Sequence, residues 1–242
     1  MKTVRRGFVP EDERFFSDDS LITLKKASKD IKYLIDNGYP IKSASTFVGD
    51  HYLLSERQRL AIVRSISSEE MLKLRREKQL TSPEKGSTVH IDGFNTTITL
   101  EVAYSGSPLF EGMDGCIRDL AGLRGTYRLI SETDLAVKAL LKTMEKLKVG
   151  KAVIYLDKPV SNSGRLKQKI YEYAGEVDLE VEVIIEDAVD YILKQKPLIA
   201  SGDAIILDAC DKWFNLVRCV IEDNIGEYPY LDICPRKIHG SD

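Results

Sequence analysis

Three aspartates follow strand-like segments of the sequence. Asp92, Asp157 and Asp203 each come at or just after the end of a run of β-branched and aliphatic residues. In a parallel sheet the carboxyl ends of the strands share one edge, where ligands bind. A single aspartate there commonly caps a helix, but several at one edge repel each other unless a cation neutralises them. Carboxylate oxygens suit Mg²⁺ or Mn²⁺, so the pattern predicts a divalent-metal site with these three ligands.

Other polar residues near the strand ends are further candidates for this site. They are Asn95, Asp114, Arg118, Asp119, Glu132, Asp134 and Asp208. Glu132 and Asp134 also fit a structural role, because a helix that begins at Ser131 favours negative charge in its first turn. Asp114 and Asp119 lie in a glycine-rich segment without a regular pattern, and such loops often carry function.

The segment after Asp157 has the composition of a phosphate site. Ser161, Asn162, Ser163 and Arg165 lie where a strand gives way to a helix, so free backbone N–H groups and small polar side chains would collect there. Arg165 could add a bidentate contact to phosphate. A tight turn with a capping serine explains the same residues, and both interpretations stay open.

Several common site types are missing from the sequence. The segment lacks the Gly-Lys-Ser/Thr ending of a Walker loop, the glycines form no G-x-G-x-x-G turn, and G-x-S-x-G is absent. The four cysteines form no C-x-x-C pair, which argues against a zinc ribbon and a disulfide framework. Any metal chemistry would therefore use oxygen ligands.

Composition and charge favour a cytoplasmic protein. Of the 242 residues 43% are hydrophobic and 30% charged, and no apolar run reaches the length of a membrane span. The N-terminus lacks the features of a secretory signal. Residues 1–86 carry 17 Lys+Arg against 13 Asp+Glu, and the remainder carries 18 against 25. This asymmetry fits a nucleic-acid enzyme, and it equally fits ordinary solvated surfaces.

Residues 1–82 are predicted to form a small all-α module. Apolar residues with helical spacing predict helices over Leu21–Ile35 and Ile41–Val48, and later ones capped by Ser55 and by Ser67 or Ser68. Five arginines of this module could contact a phosphate backbone, or could instead face solvent or pair with neighbouring acids. They are Arg57, Arg59, Arg64, Arg75 and Arg76.

Residues 83–242 are predicted to form an α/β domain with a mostly parallel sheet flanked by helices, because strand and helix patterns alternate. The β-rich run Thr96–Val102 indicates a strand, although it could instead start a helix. A final helix is expected around Trp213–Ile221.

Short motifs in this part of the chain resemble those of the PIN-like and NYN-type nuclease superfamily. The motifs are Asp92-Gly93-Phe94-Asn95, Asp134-Leu135-Ala136-Val137 and Ser201-Gly202-Asp203. The resemblance spans residues 88–211 and implies a cleft in which acids bind one or two divalent ions that activate water for phosphodiester cleavage. By this resemblance Asp92, Asp134 and Asp203 would be catalytic, with Asp157 as a fourth candidate. The whole chain also resembles an uncharacterised archaeal and bacterial family.

The resulting expectation is a metal-dependent ribonuclease that uses Mg²⁺ or Mn²⁺. We expect RNA as the partner and no association with a membrane. The chain could also associate with a second copy of itself. Two alternatives stay open. One is a member of the fold that binds RNA or protein without turnover, and the other is a small-molecule phosphohydrolase or phosphotransferase that uses the segment from Ser161 to Arg165.

Overall fold

A parallel sheet forms the centre of the molecule. The computed structural model describes residues 5–122 and 125–235 of the chain. Six strands pair in parallel, helices cover the sheet, and further helices precede it in sequence. The predicted α/β class with an N-terminal helical region is confirmed. No helix in the described ranges is both long enough and apolar enough to cross a bilayer.

The elements follow one another along the chain with short connections. The helices are α1 (Asp12–Phe15), α2 (Asp18–Asp36), α3 (Ile41–His51), α4 (Glu56–Ser65), α5 (Glu69–Lys78), α6 (Gly93–Tyr104), α7 (Ser131–Lys146), α8 (Ser163–Ala174), α9 (Val189–Leu193), α10 (Ala204–Ala209) and α11 (Leu216–Asn224). The strands are β1 (Gln79–Leu80), β2 (Thr88–Asp92), β3 (Phe110–Glu111), β4 (Ile117–Arg118), β5 (Lys151–Asp157), β6 (Glu180–Glu186), β7 (Leu198–Ala200) and β8 (Lys212–Phe214).

The helices α3, α4 and α5 begin where the sequence predicts, whereas α2 begins at Asp18, three residues before the predicted Leu21. The Ser55 hydroxyl accepts a hydrogen bond from the Gln58 N–H at 3.2 Å and caps α4, and Ser68 caps α5 in the same way. The apolar faces of α2, α3 and α4 form one core with residues from much later in the chain, among them Phe110 and Ile233. The helical region therefore packs directly on the α/β part.

The strand order creates a point where the connections diverge. The order is β1-β8-β7-β2-β5-β6, with the short pair β3-β4 separate. From β2 the chain passes through α6 and α7 to β5 on one side, whereas β7 lies on the other side of β2. The neighbouring strands β2 and β7 thus form a topological switch point, where open α/β sheets bind ligands beyond the carboxyl ends of the strands.

Helices cover both faces of the sheet. The helices α6, α7, α8 and α11 share one core with the sheet, and α9 and α10 share a second core on the opposite face. Because β5 lies between these layers, its sequence is an uninterrupted apolar run. Side chains at the carboxyl ends of β2, β5 and β7 are therefore the ones that reach a common, more polar edge.

Two sequence-based expectations about elements were wrong. Thr96–Val102 is helical, as the alternative allowed, because Asp92 caps α6 and the helix is buried against α7 and α11. This packing outweighs the strand preference of its β-branched residues. Trp213 belongs to strand β8 rather than to the last helix, and its indole N–H donates to the Arg75 carbonyl at 2.8 Å. A strand of three residues is too short for periodicity to reveal.

Candidate functional site

The switch point between β2 and β7 brings two of the predicted acids together. The Ser201 hydroxyl donates to Asp92 Oδ2 at 2.8 Å, and the oxygen of this hydroxyl accepts a hydrogen bond from the Asp203 N–H at 3.0 Å. Asp92 caps α6 by accepting from the Asn95 N–H, and Asp203 caps α10 by accepting from the Ile205 N–H. Both aspartates therefore have a structural contact, and each keeps further acceptor capacity.

Asp92 is buried without a cation. Its exposed fraction is 6%, and no lysine or arginine in the described ranges pairs with it. Burial, helped by the charges of Asp203 and Asp157, outweighs the hydrogen bonds from Ser201 and Asn95 and raises the pKa of Asp92 to about 7. A buried carboxyl group that titrates near neutral pH is a frequent property of functional sites.

Close packing fixes this geometry. The Asn95 side chain accepts a hydrogen bond from the Gly202 N–H at 2.8 Å, and Arg118 Nε donates to the Gly202 carbonyl at 2.8 Å. Gly93 starts α6 so near to β5 that a Cβ atom would lie 2.6 Å from the Tyr155 carbonyl oxygen. The Asp-Gly-Phe-Asn and Ser-Gly-Asp motifs thus hold the ends of β2 and β7 in register with each other.

Two further acids, Asp157 and Asp190, join Asp92 and Asp203. We call these four residues the acidic edge. Burial and the charge of Asp190 raise the pKa of Asp157, and burial and the charge of Asp203 raise the pKa of Asp190. Asp190 lies in α9, after the end of β6, and sequence reasoning missed it. The rule that selected the other strand-end acids did not reach Asp190, because it lies four residues after Glu186, the last residue of β6.

The acidic edge has the ligand chemistry of a hard cation but not a complete cage. Among residues 5–122 and 125–235, no three histidine, cysteine or acidic side chains are grouped so that they could hold one metal ion. Mg²⁺ commonly binds through only one or two carboxylates, with water and substrate phosphate as its other ligands. The acids present fit that mode and do not fit an all-protein cage.

Four of the candidates form an ion-pair cluster that consists of Arg75, Asp114, Arg118 and Asp208. Asp114 Oδ2 contacts both Arg118 and Arg75 at 2.6 Å, and Asp208 contacts Arg75 at 2.7 Å. Burial alone would raise the pKa of Asp114, but the two arginines outweigh it and lower the pKa to about 2. Arg118 thus supports the turn at Gly202 and has its cationic side chain neutralised by Asp114.

Three other acidic candidates have partners away from the acidic edge. Asp119 is buried and accepts hydrogen bonds from the Thr99 hydroxyl at 2.8 Å and the Ala121 N–H at 2.7 Å. Glu132 accepts from the Ser131 hydroxyl in the first turn of α7. Asp134 forms an ion pair with Lys169 at 3.1 Å. These contacts give each residue a structural role.

The predicted phosphate segment makes internal hydrogen bonds. The Ser161 hydroxyl and the Asn162 side chain both contact the backbone of Tyr127, and Asn162 adopts a left-handed conformation with φ of 63°. Ser163 begins α8, and Arg165 is exposed on it. The side chains of Ser161 and Asn162 therefore serve the tight turn, as one of the two interpretations expected. The serine cap of that interpretation is wrong, because the N-cap residue of α8 is Asn162 and its side chain makes no capping hydrogen bond.

The arginines of the helical region are mostly held by carboxylates. Arg57 pairs with Asp12 rather than with its neighbour Glu56, and Arg59 pairs with Asp50. Arg75 belongs to the ion-pair cluster, and Arg76 pairs with Glu69 on the surface. Arg64 differs from them, because it has no hydrogen-bond or ion-pair partner in the part of the chain that the structure describes.

Comparison with known proteins identifies relatives without a described activity. The family described as Domain of unknown function (DUF5616) matches residues 82–219, and the family described as Protein of unknown function (DUF434) matches residues 23–78. An uncharacterised protein of Methanocaldococcus jannaschii is 38% identical over 187 residues, which cover 77% of this chain and 89% of that protein. No solved structure matches the chain. The chain therefore belongs to the DUF5616 family.

Proposed function

We propose that the acidic edge is the active site of a divalent-metal-dependent phosphodiesterase that cleaves RNA. The observation that carries this proposal is the position of Asp92 at the end of β2 and of Asp203 shortly after the end of β7, with the two joined through Ser201. Ligands of open α/β sheets bind at this place. The resemblance to PIN-like and NYN-type nucleases supplies the reaction class, and the buried carboxyl group of Asp92 with the acids around it supplies the chemistry.

Mg²⁺ or Mn²⁺ is the proposed cofactor. Asp92 and either Asp203 or Asp157 would hold the ion, since the charges of both residues raise the pKa of Asp92. A bound ion of this kind lowers the pKa of a water ligand and offsets negative charge on the phosphate. Asp134 enters only through the family resemblance, and its ion pair with Lys169 is a reason to leave it out of the geometric site.

Metal binding at the acidic edge would be linked to the release of a proton. The Asp92 carboxyl group has a pKa of about 7 without metal, and it must lose its proton before it can hold the ion. Ser201 fixes the orientation of its carboxyl group through the 2.8 Å hydrogen bond. Arg118 would act by positioning the turn at Gly202, because its guanidinium already pairs with Asp114.

We further propose a cytoplasmic location. Cys116, Cys210 and Cys219 are free thiols, and Cys116 and Cys210 are buried. Unpaired cysteines are typical of proteins kept in a reducing compartment.

A nuclease assay tests the proposed activity. Labelled single-stranded RNA is incubated with the protein in Mg²⁺, in Mn²⁺ and in excess chelator. We expect cleavage only with metal, and a loss of about 100-fold or more in Asp92→Asn and in Asp203→Asn. Asp50→Asn is the matched control, because Asp50 is an exposed acid paired with Arg59 in the helical region.

Two results contradict the proposal. Normal cleavage by both variants would move the active site elsewhere, and Asp134→Asn would then test the acid that only the resemblance selects. Binding of RNA by the wild type without any cleavage would instead support the non-catalytic alternative.

A further inference from the structure

A cavity lies between the helical region and the acidic edge. Its volume is about 630 Å³, and residues from both parts of the chain line it. From the helical side it is bordered by the end of α2 with the turn that follows, and by α4 and α5. From the sheet side it is bordered by Gly202, Asp203 and the start of α10. The volume falls within the range of pockets that bind small ligands or single nucleotide units.

The walls of the cavity combine apolar side chains with charged ones, and they leave two large side chains uncovered. Tyr39 has an exposed fraction of 58% and Ile205 one of 63%, although both line the cavity. Ile41, Ile66 and Met71 add apolar surface to the helical wall. An aromatic ring and an aliphatic side chain at a pocket wall offer the planar, sequence-independent contact surface that nucleobases use.

One cation of the cavity is available to an anion. Arg64 lines the cavity and has no partner among the described residues, whereas Arg75 and Arg118, which also line it, are neutralised within the ion-pair cluster. A free guanidinium beside an apolar wall matches a ligand that carries one phosphate and one planar apolar group.

The cavity is continuous with the proposed active site. Gly202 and Asp203 border the cavity, and Ser201 immediately before them donates to Asp92. A ligand seated against Asp203 would therefore lie next to the acids of the switch point. With a volume of about 630 Å³ the cavity has the size of a pocket for one small ligand, which matches a single unpaired unit.

We propose that this cavity binds one unpaired nucleotide unit of the RNA strand, with its base on Tyr39 and Ile205 and its phosphate on Arg64. This inference rests on the proposed function, since it names the strand that the acidic edge would cut. In this proposal the helical region forms one wall of the substrate site. The cavity would also give the enzyme a preference for single strands.

Binding measured without metal tests the proposal separately from turnover. Fluorescein-labelled RNA of about 12 nucleotides is titrated with protein in chelator, as a single strand and as a duplex. We expect Arg64→Ala and Tyr39→Ala to weaken single-strand binding about tenfold each, and the duplex to bind about tenfold more weakly than the single strand. Arg64→Ala should also reduce the salt slope of binding by about 1.

Matched controls come from the same helices. Lys73→Ala removes an exposed cation of α5 that does not line the cavity, and Tyr33→Ala removes an exposed tyrosine of α2 with a 69% exposed fraction. Both should bind within about twofold of wild type. Equal thermal melting of all four variants excludes unfolding as the cause of a loss.

The outcomes separate this inference from the proposed function. If the wild type cleaves RNA while Arg64→Ala and Tyr39→Ala bind and cleave normally, the cavity assignment is overturned and the nuclease proposal stands. If no cleavage occurs but binding depends on both residues, the nuclease proposal fails and the cavity assignment stands. Binding of uridine monophosphate without any binding of the oligonucleotide would assign the cavity to a small phosphorylated compound and overturn the inference.

Discussion

Two buried aspartates of this protein have opposite surroundings. Asp114 is 8% exposed and Asp92 is 6% exposed, so both are removed from water to a similar degree. Burial favours the neutral form of each, but Arg118 and Arg75 reverse the effect at Asp114 and hold its pKa at about 2. Asp92 has no such cation, and burial together with Asp203 and Asp157 raises its pKa to about 7.

The difference separates acids that stabilise the fold from acids that cost stability. Asp114 ties helix α5 and strand β4 together through two arginines. Asp92 lies among further carboxylates, and the fold is less stable for keeping it charged. Proteins retain residues that lower the free energy of unfolding where a function requires those residues. The ion-pair cluster is therefore structural in our interpretation, and the acidic edge is functional.

The largest predicted effect falls on the structural side of this comparison. Asp114→Asn leaves Arg118 and Arg75 buried without their shared carboxylate, and we expect a loss of about 3–5 kcal/mol in the free energy of unfolding. Urea denaturation at neutral pH measures it. The pKa of Asp114 is lowered, so its contribution is full above about pH 4 and is lost as the pH falls towards 2.

The control for this variant is Asp50→Asn, which breaks a surface pair with Arg59 and should cost at most about 1 kcal/mol. A loss below about 1 kcal/mol in Asp114→Asn would show that the arginines find other partners and that the ion-pair cluster does not hold α5 to the sheet.

The next effect concerns the packing that places Asp92. Gly93→Ala puts a Cβ atom 2.6 Å from the Tyr155 carbonyl oxygen, so α6 must shift away from β5. We expect a loss of about 2–3 kcal/mol by thermal or urea unfolding. Gly164→Ala is the matched control, because a Cβ atom added there in α8 would meet no neighbouring segment within 4 Å, and it should be neutral or stabilising. Equal stability of the two variants would argue against a tightly fixed Asp92.

The smallest predicted effect is an increase in the free energy of unfolding. Above about pH 7 the folded protein must keep the buried Asp92 charged, whereas the unfolded chain ionises it freely near pH 4. Asp92→Asn removes this cost, which is about 4 kcal/mol for a pKa raised by about 3. The amide has only one acceptor oxygen for the hydrogen bonds from Ser201 and Asn95, so we expect the variant to be about 2 kcal/mol more stable than wild type at pH 8 and no more stable at pH 4. Urea unfolding at the two pH values measures the difference. Destabilisation at both would indicate that Asp92 is a structural cap.

Local patterns in the sequence predicted the elements of the fold better than the partners of the site residues. Helix caps such as Ser55 and the apolar run of β5 are local signals, and the structure confirms both. The placing of Asp92 and Asp203 at one edge follows from the parallel order of the strands and was expected in outline. The Ser201 hydroxyl that joins them was not expected, because Ser201 and Asp92 are 109 residues apart and their hydrogen bond leaves no local trace in the sequence.

The parts that sequence reasoning missed depend on contacts between distant segments. Asp114 and Arg118 looked like active-site candidates because nothing in the sequence shows that Arg75 joins them. The cavity beside Tyr39 and Ile205 likewise exists only because the helical region packs against the sheet edge. Burial, which separates a compensated acid from an uncompensated one, is a property of the whole fold.

A titration of the Asp92 carboxyl group tests the central claim most directly. The ¹³C chemical shift of this carboxyl carbon, assigned by comparison with Asp92→Asn, is followed by NMR from acid to mildly alkaline pH. We expect a midpoint of about 7 without metal, and a lower midpoint in the presence of Mg²⁺, because the ion competes with the proton. A midpoint at or below the ordinary 3.8 without metal would contradict the claim that Asp92 is an uncompensated acid.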